Sequence, residues 1–209
     1  MLSATEKTVA IVQAMAEVME ENRKHLTKLD SEIGDGDHGN NMHRGFQAAL
    51  ERLEGTDAET PAEVLKAVSS ALISKVGGAA GPLYGTAFLR ASSSLSEKEE
   101  VSAEDAAEAL EAALGGVKQR GKAELEDKTI VDALQPASEA AREAASGSVA
   151  EVFRAAADAA EKGAESTVDL VARKGRASYL GERSAGHRDP GATSTHLLLE
   201  AAARTLEQS

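Results

Sequence analysis

Apolar side chains recur every three or four residues along most of this chain, a spacing typical of helices that bury one face. The first such series includes Val12, Met15 and Met19 and ends near His25. Further series follow up to Leu206, and no stretch shows the period-two alternation of a β-strand. We therefore predict about eight helices, which begin near residues 4, 40, 61, 81, 103, 130, 149 and 194.

Short polar signals mark the starts of these helices. Ser3, Thr60 and Ser148 each precede a glutamate by three residues, which is the pattern of a capping box. Pro61 follows Thr60 directly, and proline is favoured at the first helical position. Further caps are predicted at Ser102, at Thr129, and at Thr193 or Ser194. With 209 residues, the chain is predicted to form one all-α domain over residues 1–209.

Two long irregular stretches interrupt the helices, at residues 29–39 and 174–192. Irregular loops of that length inside a compact domain are usually functional or disordered. Their glycines and mixed charges favour the first explanation. We therefore expect the functional site in these two loops.

The composition limits the class of protein. Aromatic residues make up 2% of the chain and alanine about a fifth, so the core must consist of small and aliphatic side chains in closely packed helices. The absence of cysteine excludes disulfides and thiolate metal sites. No apolar run is long enough to span a membrane, and no leader is recognisable, which predicts a soluble cytoplasmic protein.

Charge is unevenly distributed along the chain. The net charge of −12 argues against binding to nucleic acid or to an anionic membrane. The segment from Arg173 to Asp189 nevertheless carries a net charge of +3. A basic segment in an acidic protein indicates that an anion binds there, although a surface loop of chance charge is the simpler alternative.

Asp30, Asp35 and Asp37 lie within eight residues and are separated by glycines. In extended backbone, the side chains of Asp35 and Asp37 would point to the same face. Two carboxylates about 5 Å apart repel by roughly 3 kcal/mol at an effective dielectric constant of about 20, so the cluster requires neutralisation. A hard divalent cation with oxygen ligands is the simplest partner.

Common nucleotide and calcium motifs do not explain this loop. Residues 34–39 match G-x-G-x-x-G, but a helix rather than a strand precedes them. Residues 116–123 approach a P-loop, yet they end in Ala123 where a magnesium-binding Ser or Thr is required. An EF-hand that starts at Asp35 would place Phe46 where a bidentate glutamate belongs.

A site for Mg²⁺ with a nucleotide or phosphate ester is the interpretation that the residues favour. The helix start near Asn40, the glycine-rich residues 77–81 and the guanidinium of Arg176 offer donors for the same phosphates. A structural cation site, or a purely capping role for the aspartates, remains open at this point.

Three blocks of sequence are more specific when taken together. They are IGDGDHGNNM at 33–42, GGAAGPLYG at 77–85, and KGRASYLGERS at 174–184 followed by DPGA at 189–192. In this order they closely resemble the nucleotide-binding L-subunit family of dihydroxyacetone kinases. The resemblance covers essentially the whole chain.

This resemblance implies a barrel of eight up-and-down antiparallel helices with a nucleotide site at one end. It implies that Asp30, Asp35 and Asp37 hold two Mg²⁺ ions, which bind the phosphates of ADP or ATP. Many relatives have Ser at the position of Ala80, so one possible hydroxyl contact is missing here. The residues implied to contact the nucleotide are His38, Gly39, Asn40, Asn41, Ala79, Ala80, Gly121, Ile130, Arg176, Asp189, Pro190 and Gly191.

The resemblance also implies that a phosphoryl group passes to dihydroxyacetone on a separate K subunit, so no catalytic residue is expected on this chain. We expect the branch linked to the phosphotransferase system, in which ADP stays bound and a phosphohistidine protein, the M subunit, rephosphorylates it. In the other branch, free ATP is the donor. Two alternatives are an ATP-dependent kinase subunit for another small ketose, such as a tetrulose, and a non-catalytic nucleotide-sensing module.

Overall fold

The computed structural model describes residues 2–208 and contains, within that range, nine α-helices, one 3-10 helix and no strand. No described helix has the length and hydropathy that a membrane span needs. The predicted all-α fold is confirmed. The helices are α1 (Ala4–Glu21), α2 (Arg23–Ile33), α3 (His38–Glu54), α4 (Pro61–Lys75), α5 (Ala80–Ser94), α6 (Ala103–Gly121), α7 (Ile130–Glu143), α8 (Val149–Ser166), the 3-10 helix η1 (Arg176–Ser184) and α9 (Pro190–Glu207).

Eight of the helices form a closed ring. Each α-helix from α3 to α8 packs against the next α-helix in the chain, and α9 packs against α1, which also contacts α3. The remaining helix, α2, lies against α3, α9 and η1. Sequential neighbours of this kind are typical of an up-and-down bundle, so the ring is the predicted barrel with α2 as an addition.

Alternate connections of an up-and-down ring lie at the same end. Residues 34–37, 76–79, 122–129 and 167–189 therefore form one end, which we call the aspartate end. At the opposite end, α1, α4, α6 and α8 all begin in complete capping boxes, at Ser3, Thr60, Ser102 and Ser148. At the aspartate end, α7 and α9 are capped by side chains, whereas α3 and α5 begin at Asp37 and Ala79 without a side-chain cap.

Small and aliphatic side chains fill the ring. The larger apolar cluster contains the fully buried side chains of Met19, Phe46 and Leu72. The second cluster consists mainly of alanines from α6 to α9, whose small side chains let the helices approach closely. A cavity of about 230 Å³, lined mainly by apolar side chains of the ring, lies against both clusters.

The first predicted loop is shorter than expected. Residues 29–33 belong to α2, so only residues 34–37 are irregular before α3 begins at His38. The prediction was wrong because the buried face of α2 consists of Leu26, Asp30 and Ile33. A buried aspartate in that series hides the helical periodicity.

The second predicted loop also contains regular structure. The 3-10 helix η1 occupies its centre, with a break at Gly181, where φ is 53°. The last helix begins at Pro190 rather than after Thr193, because Asp189 is its cap and accepts a hydrogen bond from the Ala192 N–H at 2.7 Å. Conversely, α8 ends at Ser166, although apolar residues continue at helical spacing through Val168 and Val171.

Candidate functional site

Three carboxylates meet where α2 leads into α3. Asp30 lies in the last turn of α2, Asp35 in the connection, and Asp37 directly before α3. One carboxylate oxygen of each lies within 4.8 Å of the others. The condition of extended backbone is not met here, since Gly36 has a φ of 73° and Asp37 is helical. The aspartates converge because the chain turns at Gly36.

Asp30 is the fixed member of this aspartate cluster. It is buried, and its Oδ2 accepts hydrogen bonds from the backbone N–H groups of Asp37 at 2.8 Å and His38 at 3.1 Å. It therefore satisfies the first donors of α3, which lacks a cap of its own. A Cβ at Gly34 would lie 2.0 Å from the Asp30 carboxylate, so glycine is required there.

The basic segment reaches the same cluster. Arg176 Nη2 lies 2.9 Å from Asp35 Oδ2, and His187 Nδ1 lies 3.1 Å from Glu32 Oε2. These two contacts join the 167–189 segment to the end of α2 across more than one hundred residues of sequence. The two loops selected from the sequence therefore form one site.

Two adjoining cavities open at this end of the ring. The first, of about 150 Å³, is bordered by the aspartate cluster, by residues 77–80 and by residues 174–177. The second, of about 470 Å³, has a largely apolar wall that includes Leu83, Val117 and Ile130. Residues shared by both cavities are His38, Ala79, Ala80, Lys174, Gly175 and Asp189. The site thus combines a small polar compartment with a larger apolar one.

A buried hydrogen-bond network supports the wall between these cavities and the core. His38 Nε2 lies 2.8 Å from Ser194 Oγ, which lies 2.6 Å from the Tyr84 hydroxyl. Tyr84 also contacts Thr195 Oγ1 at 2.9 Å and donates to the Gly191 carbonyl at 3.0 Å. Burial lowers the pKa of His38, although Asp30 and Asp37 act in the opposite direction, so the imidazole is neutral at pH 7.

Asp189 is the second buried carboxylate of the site. Burial raises its pKa to about 7, while the hydrogen bond from Ala192 opposes the shift. The group therefore titrates near neutral pH, although it lines both cavities and caps α9. A cation nearby would favour its charged form.

Most of the sequence-predicted residues border the two cavities. Asn40 does not, because its side chain points to solvent at the start of α3. Gly39 is buried against α2, where a Cβ would lie 2.0 Å from the Arg23 carbonyl oxygen, and it borders neither cavity. The residues that the structure does bring together are Asp30, Asp35, Asp37, His38, Asn41, Ala79, Ala80, Gly121, Ile130, Arg176, Asp189, Pro190 and Gly191.

Sequence reasoning missed several lining residues. Lys174 and Gly175 border both cavities and lie in the basic segment, so their charge and position were available as a signal. Arg120 lies in the near-match to a P-loop, which had been set aside as a motif. Leu83 and Val117 have the spacing of ordinary core residues, and nothing in the sequence distinguishes them.

The sequence of this chain is similar to those of known proteins. Residues 32–204 match the family model described as DAK2 domain. The chain is 44% identical over 179 residues to an Escherichia coli (strain K12) protein named PEP-dependent dihydroxyacetone kinase, ADP-binding subunit DhaL, with 85% of each chain covered. It is 42% identical over 184 residues to the Lactococcus lactis PTS-dependent dihydroxyacetone kinase, ADP-binding subunit DhaL, with 88% of each chain covered.

A solved structure shows the same fold. The dihydroxyacetone kinase from C. freundii, crystallised in complex with AMP-PNP and Mg²⁺, matches with a TM-score of 0.73 and 27% identity. The match covers 94% of this chain and 33% of the C. freundii chain. This chain therefore corresponds to about one third of that enzyme.

Proposed function

Because the chain belongs to the DAK2 domain family, we propose that it is the nucleotide-binding subunit of a dihydroxyacetone kinase. It holds ADP or ATP at the aspartate end, and the terminal phosphoryl group passes to dihydroxyacetone bound on a separate K subunit. The observation that carries this proposal is that three carboxylates and the uncapped start of α5 border one small cavity. Carboxylates alone repel phosphate, whereas carboxylates that hold a cation attract it.

The aspartate cluster fits Mg²⁺ by the chemistry of its donors. All three groups are hard oxygen ligands, and Asp30 is already held in place by two N–H groups. We assign two Mg²⁺ ions to Asp30, Asp35 and Asp37, with phosphate oxygens as further ligands. The bound ions supply neutralisation of the phosphate charge, which is the main requirement of phosphoryl transfer.

The protein groups around the cavities have complementary roles. The free N–H groups at Ala79 and Ala80 donate to phosphate at the start of α5, where the helix dipole also favours an anion. Lys174 and Arg176 add positive charge from the opposite side. The larger cavity takes the base against Leu83, Gly121 and Ile130, and its volume suits a ligand of nucleotide size.

The substrate side belongs to partner proteins. The K subunit binds the ketose and approaches the aspartate end, where the nucleotide phosphates are exposed. Tyr179 on η1 is 88% exposed three residues after Arg176, and exposed tyrosines are common in protein interfaces. In the phosphotransferase-linked form, the M subunit rephosphorylates bound ADP from the same end.

Substitution of Asp37 by Asn tests the proposal. Asp37 makes no side-chain capping bond, so Asp37→Asn removes a ligand charge without removing a helix cap. We expect the affinity for Mg²⁺-ADP, measured by calorimetry, to fall by roughly 100-fold or more, because a carboxylate about 4 Å from a cation contributes a few kcal/mol. The thermal midpoint of the nucleotide-free protein should remain close to that of the wild type.

Asp57→Asn is the matched control, since Asp57 is exposed in the connection between α3 and α4 at the opposite end. It should bind Mg²⁺-ADP like the wild type. Unchanged affinity in Asp37→Asn, or equal ADP binding in excess chelator, would contradict the proposal.

Reconstitution with a K subunit tests the reaction itself. Phosphate transfer is measured to dihydroxyacetone and to other small ketoses, including a tetrulose. The ketose that is phosphorylated most efficiently is the substrate. ADP that is retained through purification supports rephosphorylation in place, whereas rapid exchange supports ATP as the donor. Nucleotide binding without transfer to any ketose would leave only the nucleotide-sensing alternative.

A further inference from the structure

Lys128 lies in the connection between α6 and α7, and it is only 1% exposed. Its backbone is in the left-handed region with a φ of 61°, as are Lys122 at 52° and Glu126 at 69°. Residues with a side chain adopt this conformation rarely, and they keep it only where the surrounding structure holds it. A buried lysine on such a backbone indicates a specific role.

The ammonium group of Lys128 is surrounded by backbone carbonyls. Its three N–H donors are shared among four carbonyl oxygens, those of Thr167 at 2.7 Å, Leu170 at 3.0 Å, Ser184 at 2.8 Å and His187 at 2.6 Å. Rings of carbonyl oxygens are the ligands that replace the hydration shell of a potassium ion. The surroundings of this ammonium are therefore those of a monovalent cation site.

All four carbonyls belong to the 167–189 segment, which folds back on itself. The Gly186 N–H donates to the Val168 carbonyl at 2.8 Å, and the Ala172 N–H donates to Ser184 Oγ at 2.8 Å. The segment thus has two arms, residues 167–172 and residues 184–187. The Lys128 ammonium lies between these two arms and bonds to both. Without it, four carbonyls that point to one position would lose this donor; those of Thr167 and Ser184 are buried, and only that of Thr167 accepts a second hydrogen bond, from the Leu170 N–H at 3.3 Å.

The same segment carries one side of the nucleotide site. Residues 174–177, which lie between the two arms, border the smaller cavity and bring Arg176 to Asp35. At the end of the segment, the Asp189 N–H donates to Thr167 Oγ1 at 2.9 Å, beside a carbonyl that Lys128 binds. The positions of residues 174–177 and of Asp189 therefore depend on how the 167–189 segment folds around the ammonium.

We propose that Lys128 is a positioning residue, whose ammonium acts as a built-in monovalent cation around which the 167–189 segment folds to form one wall of the nucleotide site. The effect on nucleotide rests on the proposed function, whereas the order of the segment is measurable without any nucleotide. It follows that removal of the side chain leaves a site for ammonium or potassium ions.

Three variants test this role. Lys128→Ala removes the ammonium and leaves space, whereas Lys128→Met removes the ammonium and keeps the space filled. Lys122→Ala is the matched control, because Lys122 has the same backbone conformation in the same connection but an exposed side chain. Amide hydrogen exchange of residues 167–189 is measured without nucleotide. Calorimetry measures the affinity for Mg²⁺-ADP in ammonium, potassium or tetramethylammonium chloride at equal ionic strength.

We expect exchange in the 167–189 segment of Lys128→Ala to accelerate, and its Mg²⁺-ADP affinity to fall, each by at least about tenfold, while α1 and α4 keep their protection. Ammonium or potassium ions should restore both properties in part, and tetramethylammonium, which is too large, should not. Lys128→Met should show the same losses without rescue. Lys122→Ala should match the wild type in both measurements.

Wild-type protection of the segment in Lys128→Ala would overturn the proposal. So would a loss of affinity with unchanged exchange, equal rescue by all three salts, or loss of protection throughout the ring in both Lys128 variants. If the wild type fails to bind Mg²⁺-ADP, the proposed function is wrong. The exchange measurements and their rescue still decide the role of Lys128 in that case.

Discussion

The ion pair between Arg176 and Asp35 joins the two sides of the site, with 2.9 Å between Nη2 and Oδ2. Both side chains are partly exposed, and such pairs contribute only about 0–1 kcal/mol. We therefore expect Arg176 to exchange Asp35 for a phosphate oxygen once the aspartate cluster holds a cation. Asp30, which is buried and bound to two N–H groups, is the member that stays fixed.

Asp189 gives the nucleotide-free protein a specific pH dependence. Burial raises its folded-state pKa to about 7, so between the ordinary value near 3.8 and 7 the folded state binds more protons than the unfolded state. The stabilisation is complete below the unfolded pKa and is lost as the pH rises through 7. From pH 5 to pH 8 the wild type should lose roughly 2 to 3 kcal/mol more unfolding free energy than Asp189→Asn.

Urea denaturation at the two pH values measures this difference. Asparagine also caps helices well, so Asp189→Asn keeps an acceptor for the Ala192 N–H. Parallel pH dependence in the two proteins would show that the carboxyl group is ionised throughout this range.

For single residues, the sequence predicted which acidic side chains form the site better than it predicted the backbone and the contacts around them. Asp30, Asp35 and Asp37 were selected from charge and spacing alone, although the turn at Gly36, which brings them together, was not predicted. The partners of His38 and Lys128 were not predictable, because they lie 156 residues away in one case and 39 to 59 in the other. Such contacts depend on how the ring closes.

Close approach between helices depends on glycine at a few positions. In α8, Gly163 packs against α7, where a Cβ would lie 2.2 Å from the Asp132 carbonyl oxygen and 3.0 Å from Pro136 Cγ. Pro136 has no N–H to donate to that carbonyl, so the adjacent helix can approach it directly. Pro136, although it lies inside α7, thus creates a contact surface for α8.

Two Gly→Ala substitutions should have opposite effects on stability. Gly163→Ala should lower the free energy of unfolding by about 1–3 kcal/mol, because the added methyl group meets backbone that cannot move aside. Gly115→Ala, on the exposed face of α6 with no atom within 4 Å of the new Cβ, should raise it by about 1 kcal/mol. Chemical denaturation of both variants measures these changes, and destabilisation by Gly115→Ala would contradict the open space at that position.

Helix starts were more predictable than helix ends. The capping boxes at Ser3, Thr60 and Ser148 are local patterns of four residues, and the structure contains all of them. The break between α1 and α2 at Asn22 has no such local pattern. No side-chain bond caps α2 there, and α2 begins directly at Arg23. Its position follows from the packing of α2 against α3 and α9.

The whole molecule separates its two ends by function. At one end, four helices begin in capping boxes that supply hydrogen-bond partners for their first N–H groups. The aspartate end instead gathers four connections that are distant in sequence. An up-and-down topology brings alternate connections together, so the meeting of residues 29–39, 77–81 and 174–192 could be predicted once the ring was assumed. Closure of the ring by α9 against α1 could not, because amphipathic spacing does not identify the partner of a helix.

Ligand binding should stabilise the ring as a unit. With Mg²⁺ present, ADP at about 100 times its dissociation constant adds roughly 2.7 kcal/mol to the unfolding free energy. For a chain of this size the thermal midpoint should rise by about 5–10 °C. Scanning calorimetry with and without chelator measures the shift, and AMP, which lacks the β-phosphate, is the control. An equal shift in chelator would exclude a metal-dependent site.

The uncapped start of α5 has a consequence for protein engineering. Ala79 leaves backbone donors of that helix without a side-chain partner, which is ordinarily a weakness that a Ser, Thr or Asp at the same position would repair. The oxygen of such a replacement would point to the Gly81 N–H, because Pro82 has none, and would lie beside the N–H groups of Ala79 and Ala80 that we assign to phosphate. Thermostabilised variants of this fold should therefore be sought at the opposite end, because a more stable start of α5 would compete with the substrate.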